Sequence, residues 1–493
     1  MRSTRVPSVL SWGLVVLLVA GCTTDAEEPE EPPAPAPTGE PTPLPTEFGG
    51  AAPPGIDGEV LRFLHGEEAD VHDILDDPLG VRISPVGAAF LISSGGADRH
   101  LLHDAATGDT LWEGEARFRG FDTDLSGAPV MRMTDDDGPY VLDAHGERVW
   151  EPAEEGDTYL DGVAVRYPDE WSFDDPGGEY AILDVDGATL WEYTFDAPTP
   201  APTPTDGEPS AEPDGEDADE PDADTGDDGD RADEGVPVAG VPVTAWDGGV
   251  LVAPGGSVLR AASLDEDSPG EELWSVSGVD EDLGRSASAP VPVPSVLGRY
   301  TLPGEPDEGA EDGEPGGDVL VVRWAGREEP STLAAYDRED GGLLWALEEP
   351  GPNPVGEPFE PAERAGGLYD EATGTLLLPQ ASGEATLVAV DLARGEVRWG
   401  LEEDDVAISP AFTHDGLVYA DARANDGTDE QVVLEADTMD VVAEDPPAYV
   451  EAVNGSGHAV LVWDRQRFVF GPPPEEEPSR GPTDEPSPTD DPS

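Results

Sequence analysis

The sequence contains no lysine and only one cysteine, Cys22, in 493 residues. Its 24 basic residues, all arginine, stand against 110 acidic residues, and the formal net charge is -86. This imbalance argues against a nucleic-acid-binding protein, because such binding depends on neutralising phosphates. The lack of lysine also excludes a phosphate-binding loop built on that residue. With one cysteine no intramolecular disulfide can form, so a folded chain of this length must be stabilised by core burial.

Long apolar runs are also scarce, and the main one lies at the N-terminus. It spans residues 6–20, follows two arginines, and leads into Val19-Ala20-Gly21-Cys22. About 15 residues is short for a spanning helix, which needs ~20, so residues 1–21 are predicted to be an export signal. The small residues before Cys22 resemble the bacterial lipoprotein signal. That resemblance implies that Cys22 is lipidated and begins the mature chain, with a plain signal peptide or an uncleaved anchor as alternatives.

Proline, glycine and acidic residues dominate four segments that have few or no aromatic residues. Residues 22–50 are predicted to be the lipidated cysteine and a Pro/Glu-rich stalk, because frequent prolines block helix and sheet alike. The other three segments are predicted to be disordered, since they cannot bury enough apolar surface to offset their ordering entropy. They are the acidic insertions 196–235 and 304–318 and the acidic tail 471–493.

The rest of the sequence repeats one phrase six times. In each copy apolar residues precede an Asp, a Gly follows, and a Trp stands four residues after the Gly. Alternation of period two and these turn residues predict a β-hairpin, in which the Asp side chain accepts backbone N–H groups and the Gly takes a positive φ. A seventh, degenerate copy around Asp437 lacks the Gly and the Trp. The six tryptophans are Trp112, Trp150, Trp191, Trp274, Trp345 and Trp399, and the matching aspartates are Asp104, Asp143, Asp184, Asp265, Asp337 and Asp391.

The spacing of the copies predicts an all-β fold. Once the acidic insertions are set aside, the copies recur about every 40 to 55 residues, which is typical of a β-propeller with four strands per blade. Six complete hairpins, the degenerate copy and a last blade completed by the N-terminal strand 58–66 predict eight blades over residues 57–470. Seven blades are the alternative. Pairing of the two chain ends would close the ring and remove its open edges.

The copy at residues 105–112, Ala-Ala-Thr-Gly-Asp-Thr-Leu-Trp, resembles the quinoprotein-type, or PQQ-like, propeller repeat. The resemblance implies that each Trp docks between adjacent blades as a structural residue and not a catalytic one. It also brings an alternative function, a quinone-dependent dehydrogenase with adjacent cysteines and Ca²⁺ beside the quinone. The chain has no cysteine after Cys22 and its other residues do not match the quinone ligands, so we expect no PQQ cofactor.

Patterns that bind metals are weak. No histidine has a metal-ligand spacing with cysteine, and His100 and His103 are predicted to lie on the surface. Asp122, Asp124 and Ser126 resemble the start of a calcium loop, although Met133 stands where the closing Glu would fall. We expect a solvated acidic turn there, no specific metal site, and only weak Ca²⁺ binding by the acidic surface.

Together these patterns predict a membrane-anchored extracytoplasmic lipoprotein whose propeller is a non-enzymatic binding or scaffolding module. Its partners would be the cell membrane, through the lipid on Cys22, and an unknown protein or cell-envelope component. The chain itself is expected to be a monomer. The alternative function is a quinone-dependent oxidoreductase, or another propeller enzyme whose active site is built from the loops of several blades.

Overall fold

The structure is a computed structural model that describes residues 44–65, 73–197, 238–285, 291–304, 316–326, 329–354, 359, 368–381, 385–402, 408–423 and 429–472. The predicted signal peptide, Cys22, most of the stalk and nearly all of the acidic segments lie outside these residues. The described residues form 32 strands and two short 3-10 helices, Asp73–Asp76 and Glu281–Leu283. Within these ranges we find no helix with the length and apolar character needed to cross a membrane.

The strands are grouped in eight four-stranded antiparallel sheets, which we number as blades. The first strand of the described ranges is β1 (Glu59–Phe63). Blade 1 comprises β2 (Val81–Val86), β3 (Ala89–Ser94), β4 (Arg99–Asp104) and β5 (Thr110–Glu115), and blade 2 comprises β6 (Arg117–Thr123), β7 (Pro129–Asp135), β8 (Gly138–Leu142) and β9 (Arg148–Trp150). Blade 3 comprises β10 (Asp157–Leu160), β11 (Val163–Arg166), β12 (Gly178–Leu183) and β13 (Thr189–Phe195), and blade 4 comprises β14 (Val241–Trp246), β15 (Gly249–Ala253), β16 (Val258–Ser263) and β17 (Glu272–Ser277). Blade 5 comprises β18 (Val293–Thr301), β19 (Asp318–Ala325), β20 (Thr332–Asp337) and β21 (Leu343–Glu348), and blade 6 comprises β22 (Leu368–Asp370), β23 (Thr375–Pro379), β24 (Ala385–Asp391) and β25 (Glu396–Glu402). Blade 7 comprises β26 (Ile408–His414), β27 (Leu417–Arg423), β28 (Asp429–Glu435) and β29 (Val441–Glu444). Blade 8 comprises β30 (Tyr449–Val453), β31 (Ala459–Trp463) and β32 (Gln466–Gly471), with β1 as its fourth strand.

The eight blades form a closed ring, a β-propeller. The first strand of a blade contacts the first strand of its neighbour, as β30 contacts both β26 and β2. These first strands therefore surround the axis of the ring. The N-terminal strand β1 pairs with β32, from Glu59 opposite Gly471 to Phe63 opposite Phe468. The predictions of an all-β propeller, of eight blades rather than seven, and of closure by the N-terminal strand are all confirmed.

Burial follows the position of each strand within its blade. The second strands of blades 1 and 4, β3 and β15, are buried at every residue, because neighbouring blades cover both faces of the sheet. The outermost strand β5 has no fully buried residue. Apolar clusters lie between successive blades, so the core is divided among the blade interfaces. This arrangement requires apolar side chains on both faces of the inner strands, which the sequence supplies as short apolar runs.

The repeated hairpins have the predicted local structure. Each joins the third and fourth strands of a blade, and the Asp carboxylate accepts backbone N–H groups of the turn, as in Thr107 N to Asp104 Oδ1 at 2.7 Å. The Gly has a positive φ, for example 86° at Gly108 and 71° at Gly341. These contacts explain why the phrase recurs once per blade, because each blade needs the same tight turn.

Two copies differ from the predicted pattern. In blade 4 the turn is longer, and the N–H of Gly270 bonds to the carbonyl of Ser263 at 2.8 Å, so Ser263 and not Asp265 occupies the aspartate's position. In the degenerate copy of blade 7, the N–H of Met439 bonds to the carbonyl of Glu435 at 3.0 Å. Met439 has a φ of 64° and thus takes the place of the Gly. The hairpin survives in both blades with different residues.

Candidate functional site

One end of the axial channel gathers the polar side chains of several blades. Because each blade is an antiparallel meander, its first-to-second and third-to-fourth turns lie at the same end of the ring. We call this end the turn face. It carries the Asp-Gly-Trp hairpins farther from the axis and the turns that follow the first strands close to the axis. The side chains of these inner turns form the candidate site.

Asp161 is the centre of the site. It lies in the tight turn between β10 and β11 with a φ of 46° and is buried. Its carboxylate accepts hydrogen bonds from the hydroxyl of Thr123 at 3.1 Å and from the hydroxyl of Thr244 at 2.6 Å. The backbone N–H of Ala245 adds a third at 3.3 Å. One carboxylate of blade 3 is thereby held by blades 2 and 4.

Arg299 extends the network to blade 5. Its Nη2 atom lies 3.5 Å from Asp161 Oδ1 and donates a hydrogen bond to the hydroxyl of Thr123 at 3.1 Å. The side chains of Arg299 and Asp161 are 13% and 11% exposed, so their attraction is only weakly screened by water. The site therefore connects four consecutive blades around the axis.

Asp122 is the second carboxyl group of this site. Its side chain is 12% exposed, and Arg132 Nη1 lies 3.6 Å from its Oδ2 atom. Burial, followed by the neighbouring negative charge of Asp161, raises the pKa of Asp122 to about 7. The N–H of Thr123 and the charge of Arg132 offset only part of this effect. A carboxyl group in this state keeps a proton near neutral pH and can donate a hydrogen bond to the ionised partner.

The residues that resemble the start of a calcium loop have two separate roles in the structure. Asp124 accepts hydrogen bonds from the Ser126 hydroxyl at 2.6 Å and from the N–H of Ala128 at 2.9 Å, so it caps the turn between β6 and β7. Asp122 lies instead beside Asp161, in the buried network. The expected solvated acidic turn therefore holds for Asp124 and is wrong for Asp122. In the described ranges no group of three or more His, Cys, Asp or Glu residues is arranged to hold a metal ion.

Two cavities open on the turn face, and the smaller of them adjoins this network. The larger, of about 890 Å³, lies among the inner turns of blades 6, 7 and 8 and the segment before β1. The smaller, of about 210 Å³, is lined by Arg299 and by residues of blades 2, 5 and 6. Tyr369 and Glu371 line both cavities. The acidic residues around the larger cavity are Asp57, Asp370, Glu371 and Asp415.

The six predicted tryptophans lie on the fourth strands and contact the next blade. Three of them donate their Nε1–H group to a backbone carbonyl of the hairpin in the next blade. The pairs are Trp274 with Arg338 at 3.0 Å, Trp345 with Leu392 at 2.7 Å and Trp399 with Ala436 at 2.9 Å. Trp150 packs against the ring of Tyr159 in blade 3, with 5.6 Å between the centroids. Trp112 and Trp191 face the hairpin glycines Gly146 and Gly270 of the following blades.

The hairpin glycines serve these tryptophans as well as the turns. A Cβ atom added at Gly146 would lie 2.5 Å from Cβ of Trp112, and one at Gly341 would lie 2.7 Å from Cδ2 of Trp274. A larger residue at these positions would therefore displace the ring of the preceding blade. Glycine is required here by close approach, in addition to its positive φ.

Arg62 takes the place of a tryptophan at the ring closure. It lies on β1, and its guanidinium donates hydrogen bonds to the carbonyls of Asp104 at 2.8 Å, of Ala106 at 3.2 Å, and of Ala105. A Cβ atom added at Gly108 would lie 3.0 Å from its Nε atom. The sequence does not indicate this role, because β1 carries none of the repeated phrase.

The degenerate copy also has a structural reason. Ala443 pairs with Val433 in blade 7, which is the position that the tryptophans have in other blades. Blade 8 has no turn between its third and fourth strands, because β32 and β1 come from opposite ends of the chain. The hairpin that would receive a tryptophan from blade 7 is therefore absent from blade 8.

The prediction of surface histidines is wrong for His100 and His103. They are 0% and 6% exposed, because the third strand of a blade is covered on both faces. The ring nitrogens of His100 lie 2.8 Å from the Ser93 hydroxyl and 3.0 Å from the carbonyl of Ala116. His103 Nε2 accepts a hydrogen bond from Arg62 Nε at 3.2 Å. Burial lowers the pKa of His100, so the ring is held in its neutral form.

Several arginines neutralise acids within the blades. Arg323 donates two hydrogen bonds to the carboxylate of Glu349, at 2.7 and 2.8 Å, in a bidentate pair. Arg166 forms the same kind of pair with Asp157, at 2.8 and 3.0 Å. Burial by itself would raise the pKa of Asp157, but the hydrogen bonds from Arg166 and from the backbone lower it below its ordinary value. These pairs recur within single blades and stabilise their strands, whereas the network around Asp161 joins different blades.

Comparison with known proteins gives one family. The family model described as outer membrane protein assembly factor BamB matches residues 65–212 and 329–471. No curated protein matches the sequence.

Similar solved structures include BamB from Moraxella catarrhalis, at 13% identity and a TM-score of 0.36, covering 79% of this chain and 94% of that one. AztD from Citrobacter koseri has 12% identity and a TM-score of 0.37, with 79% and 87% covered. The quinohemoprotein alcohol dehydrogenase ADHIIG from Pseudomonas putida HK5 has 16% identity and a TM-score of 0.35, with 82% and 75% covered.

Proposed function

Because this chain belongs to the PQQ-like propeller family described as outer membrane protein assembly factor BamB, we propose that it is a binding or scaffolding module of the cell envelope. The family match, which spans blades 1 to 3 and most of blades 5 to 8, is the observation that carries this proposal. We further propose that Cys22 is lipidated and that the propeller acts as a monomer at the extracytoplasmic face of the membrane.

The turn face is the proposed binding surface. The inner turns of blades 6 and 7 and the segment before β1 present carboxylates around a cavity of about 890 Å³, which is large enough to accept side chains of a partner protein. The smaller cavity on the same face is lined by Arg299, which belongs to the network of Asp161 and Thr123. This supports a rigid docking surface, because such a network fixes the positions of the surrounding turns.

Site-specific photo-crosslinking in cells tests this assignment. A photoreactive residue at Glu371, on the turn face, is expected to crosslink to one protein of the envelope. The same residue at Val279, an exposed position at the opposite end of the ring, serves as the matched control. Equal crosslinking from both positions, or none from Glu371, would contradict the turn face as a binding surface.

The lipid anchor and the alternative enzymatic function need separate measurements. Cys22→Ala is expected to release the protein from the membrane fraction and to abolish the mass increase of the lipid. Thermal unfolding with pyrroloquinoline quinone and Ca²⁺ tests the alternative, because a ligand that binds only the folded state raises the midpoint. We expect no quinone-dependent shift, and a large one together with dye-linked turnover would establish an oxidoreductase instead.

A further inference from the structure

The loop between the second and third strands of blade 3 carries an unusual number of aromatic rings. Tyr167 and Trp171 have their ring centroids 4.8 Å apart, and Trp171 and Phe173 have theirs 5.0 Å apart. Phe173 is 38% exposed, and Trp171 is only half-buried. Most aromatic side chains elsewhere in the described ranges pack between blades, whereas this row continues to the surface.

A cavity of about 650 Å³ begins beside this row. It is lined by Tyr167, Pro168, Tyr180 and Tyr193, and Tyr180 and Tyr193 are stacked at 5.4 Å with an angle of 7° between their planes. We call the cavity and the adjoining rings of Trp171 and Phe173 the aromatic groove. The hydroxyls of Tyr180 and Tyr193 are bound to the carbonyls of Pro176 and Gly240, at 2.6 and 2.7 Å, so the rings are held in place.

The described chain stops at this groove and resumes near it. Ala197 packs against the same apolar cluster as Tyr167 and Trp171. The carbonyl of Gly240, just after the chain resumes at Val238, accepts a hydrogen bond from the hydroxyl of Tyr193 at 2.7 Å. A Cβ atom added at Gly177, which ends the aromatic loop, would lie 3.5 Å from the nitrogen of Ala197. Whatever follows Ala197 therefore starts at the edge of the groove.

The sequence that follows Ala197 has the chemistry that such a groove accepts. Residues 198–205 read Pro-Thr-Pro-Ala-Pro-Thr-Pro-Thr and carry no charge. Proline-rich segments adopt an extended helix that needs little ordering and docks in grooves lined by aromatic side chains.

Electrostatic repulsion favours residues 198–205 over the rest of the insertion as the occupant of the groove. The groove is lined by three acids, Asp169, Glu179 and Glu192, and by one arginine, Arg166, whose charge is already paired with Asp157 and Glu154. The residues after 205 are rich in acids, so the groove would repel them, while the uncharged stretch 198–205 meets no such penalty. A segment attached beside its site also has an effective concentration of about millimolar, so the groove is occupied even if its affinity for the segment is low.

We propose that the aromatic groove of blade 3 binds the proline-rich segment 198–205 of the same chain. The groove is thus an interaction surface for an extended, uncharged proline-rich peptide, and the chain supplies its own occupant. This proposal does not depend on the partner that binds the turn face, since the groove lies at the opposite end of the ring, where the second and third strands are joined.

Fluorine NMR of the full chain labelled with 5-fluorotryptophan tests the proposal. The resonance of Trp171 is assigned by its loss in Trp171→Phe. Replacement of four prolines by serine in the segment is expected to shift this resonance. The control replaces four prolines of the N-terminal stalk in the same way and is expected to leave it unchanged. The segment variant changes Pro198, Pro200, Pro202 and Pro204, and the control variant changes Pro32, Pro33, Pro35 and Pro37.

A peptide with the sequence of residues 198–205 is then added to both proteins. It is expected to return the Trp171 resonance of the segment variant to its original position, and to need at least tenfold higher concentration to affect the unchanged protein. An unmoved resonance in the segment variant would overturn the proposal. So would equal affinity of the peptide for both proteins, or a shift caused by the stalk variant, which would make the stalk the occupant.

Discussion

The buried carboxyl pair of the turn face predicts an inverted dependence of stability on pH. The pKa of Asp122 rises from 3.8 to about 7 in the folded protein, because burial and Asp161 both disfavour its charge. Between these two values the folded state binds one more proton than the unfolded state, so the free energy of unfolding falls as the pH rises. From pH 5 to pH 8 the loss is about 3 kcal/mol, at 1.36 kcal/mol per pH unit.

Asp122→Asn measures this loss, because the amide keeps the shape of the protonated acid but cannot ionise. Urea unfolding of the wild type and of Asp122→Asn at pH 5 and pH 8 gives four free energies. We expect the decrease between the two pH values to be about 3 kcal/mol smaller in the variant. Groups that do not contact Asp122 titrate equally in both proteins and cancel in this comparison, so the difference reports the Asp122–Asp161 pair.

The control for this experiment is Asp186→Asn, which removes an exposed carboxylate from a turn of blade 3. It is expected to leave the pH dependence as in the wild type. If Asp122→Asn also behaves like the wild type, Asp122 does not hold a proton at neutral pH, and the derivation from its burial is refuted. A variant that is more stable than the wild type at pH 8 but not at pH 5 would agree with it.

Three further predictions concern the contacts between blades. Trp345→Ala is expected to lower the free energy of unfolding by about 3 to 5 kcal/mol, whereas Leu344→Ala, at a neighbouring exposed position, should cost less than about 1 kcal/mol, both measured by urea titration. Gly341→Ala should cost several kcal/mol, because the added methyl meets a tryptophan ring, while Gly127→Ala has the same kind of backbone but open space and should cost about 1 kcal/mol; equal losses would contradict the role of close approach. Arg62→Ala should lower stability by about 3 kcal/mol and increase hydrogen exchange along β1, and unchanged exchange there would show that the arginine does not hold the closure.

The architecture could be predicted because its determinants are local. Alternation before Asp391, the turn at Gly395 and the Trp at 399 lie within one short stretch, and the same stretch recurs in each blade. The N-terminal strand predicted within residues 58–66 is observed as β1, at Glu59–Phe63. The prediction of a propeller rests on repetition, because one explanation, a β-hairpin with a docking tryptophan, accounts for all six copies.

The polar network could not be predicted in the same way. Asp161 and Arg299 meet only because the ring brings blades 3 and 5 together, and nothing near either residue in sequence indicates its partner. A partial indication was present, because Asp161-Gly162 separates two short apolar stretches and marks a tight turn. Such a turn after a first strand lies next to the axis of a propeller. The buried state of His100 and His103 was likewise hidden, since it depends on covering both faces of the third strand.

The pairing of β1 with β32 also sets the order of events when the protein is made. Residues 59–63 leave the ribosome early, whereas their partners at 468–471 follow only after all the other strands. Seven blades can assemble from consecutive stretches of chain, but the eighth has to wait for the final strand. Until then the first strand stays unpaired and the ring stays open, with apolar faces of blades 1 and 7 uncovered. Completion of β32 is therefore the step that commits the molecule to its closed form, and a chain that lacks this strand would leave an exposed sheet edge open to proteolysis.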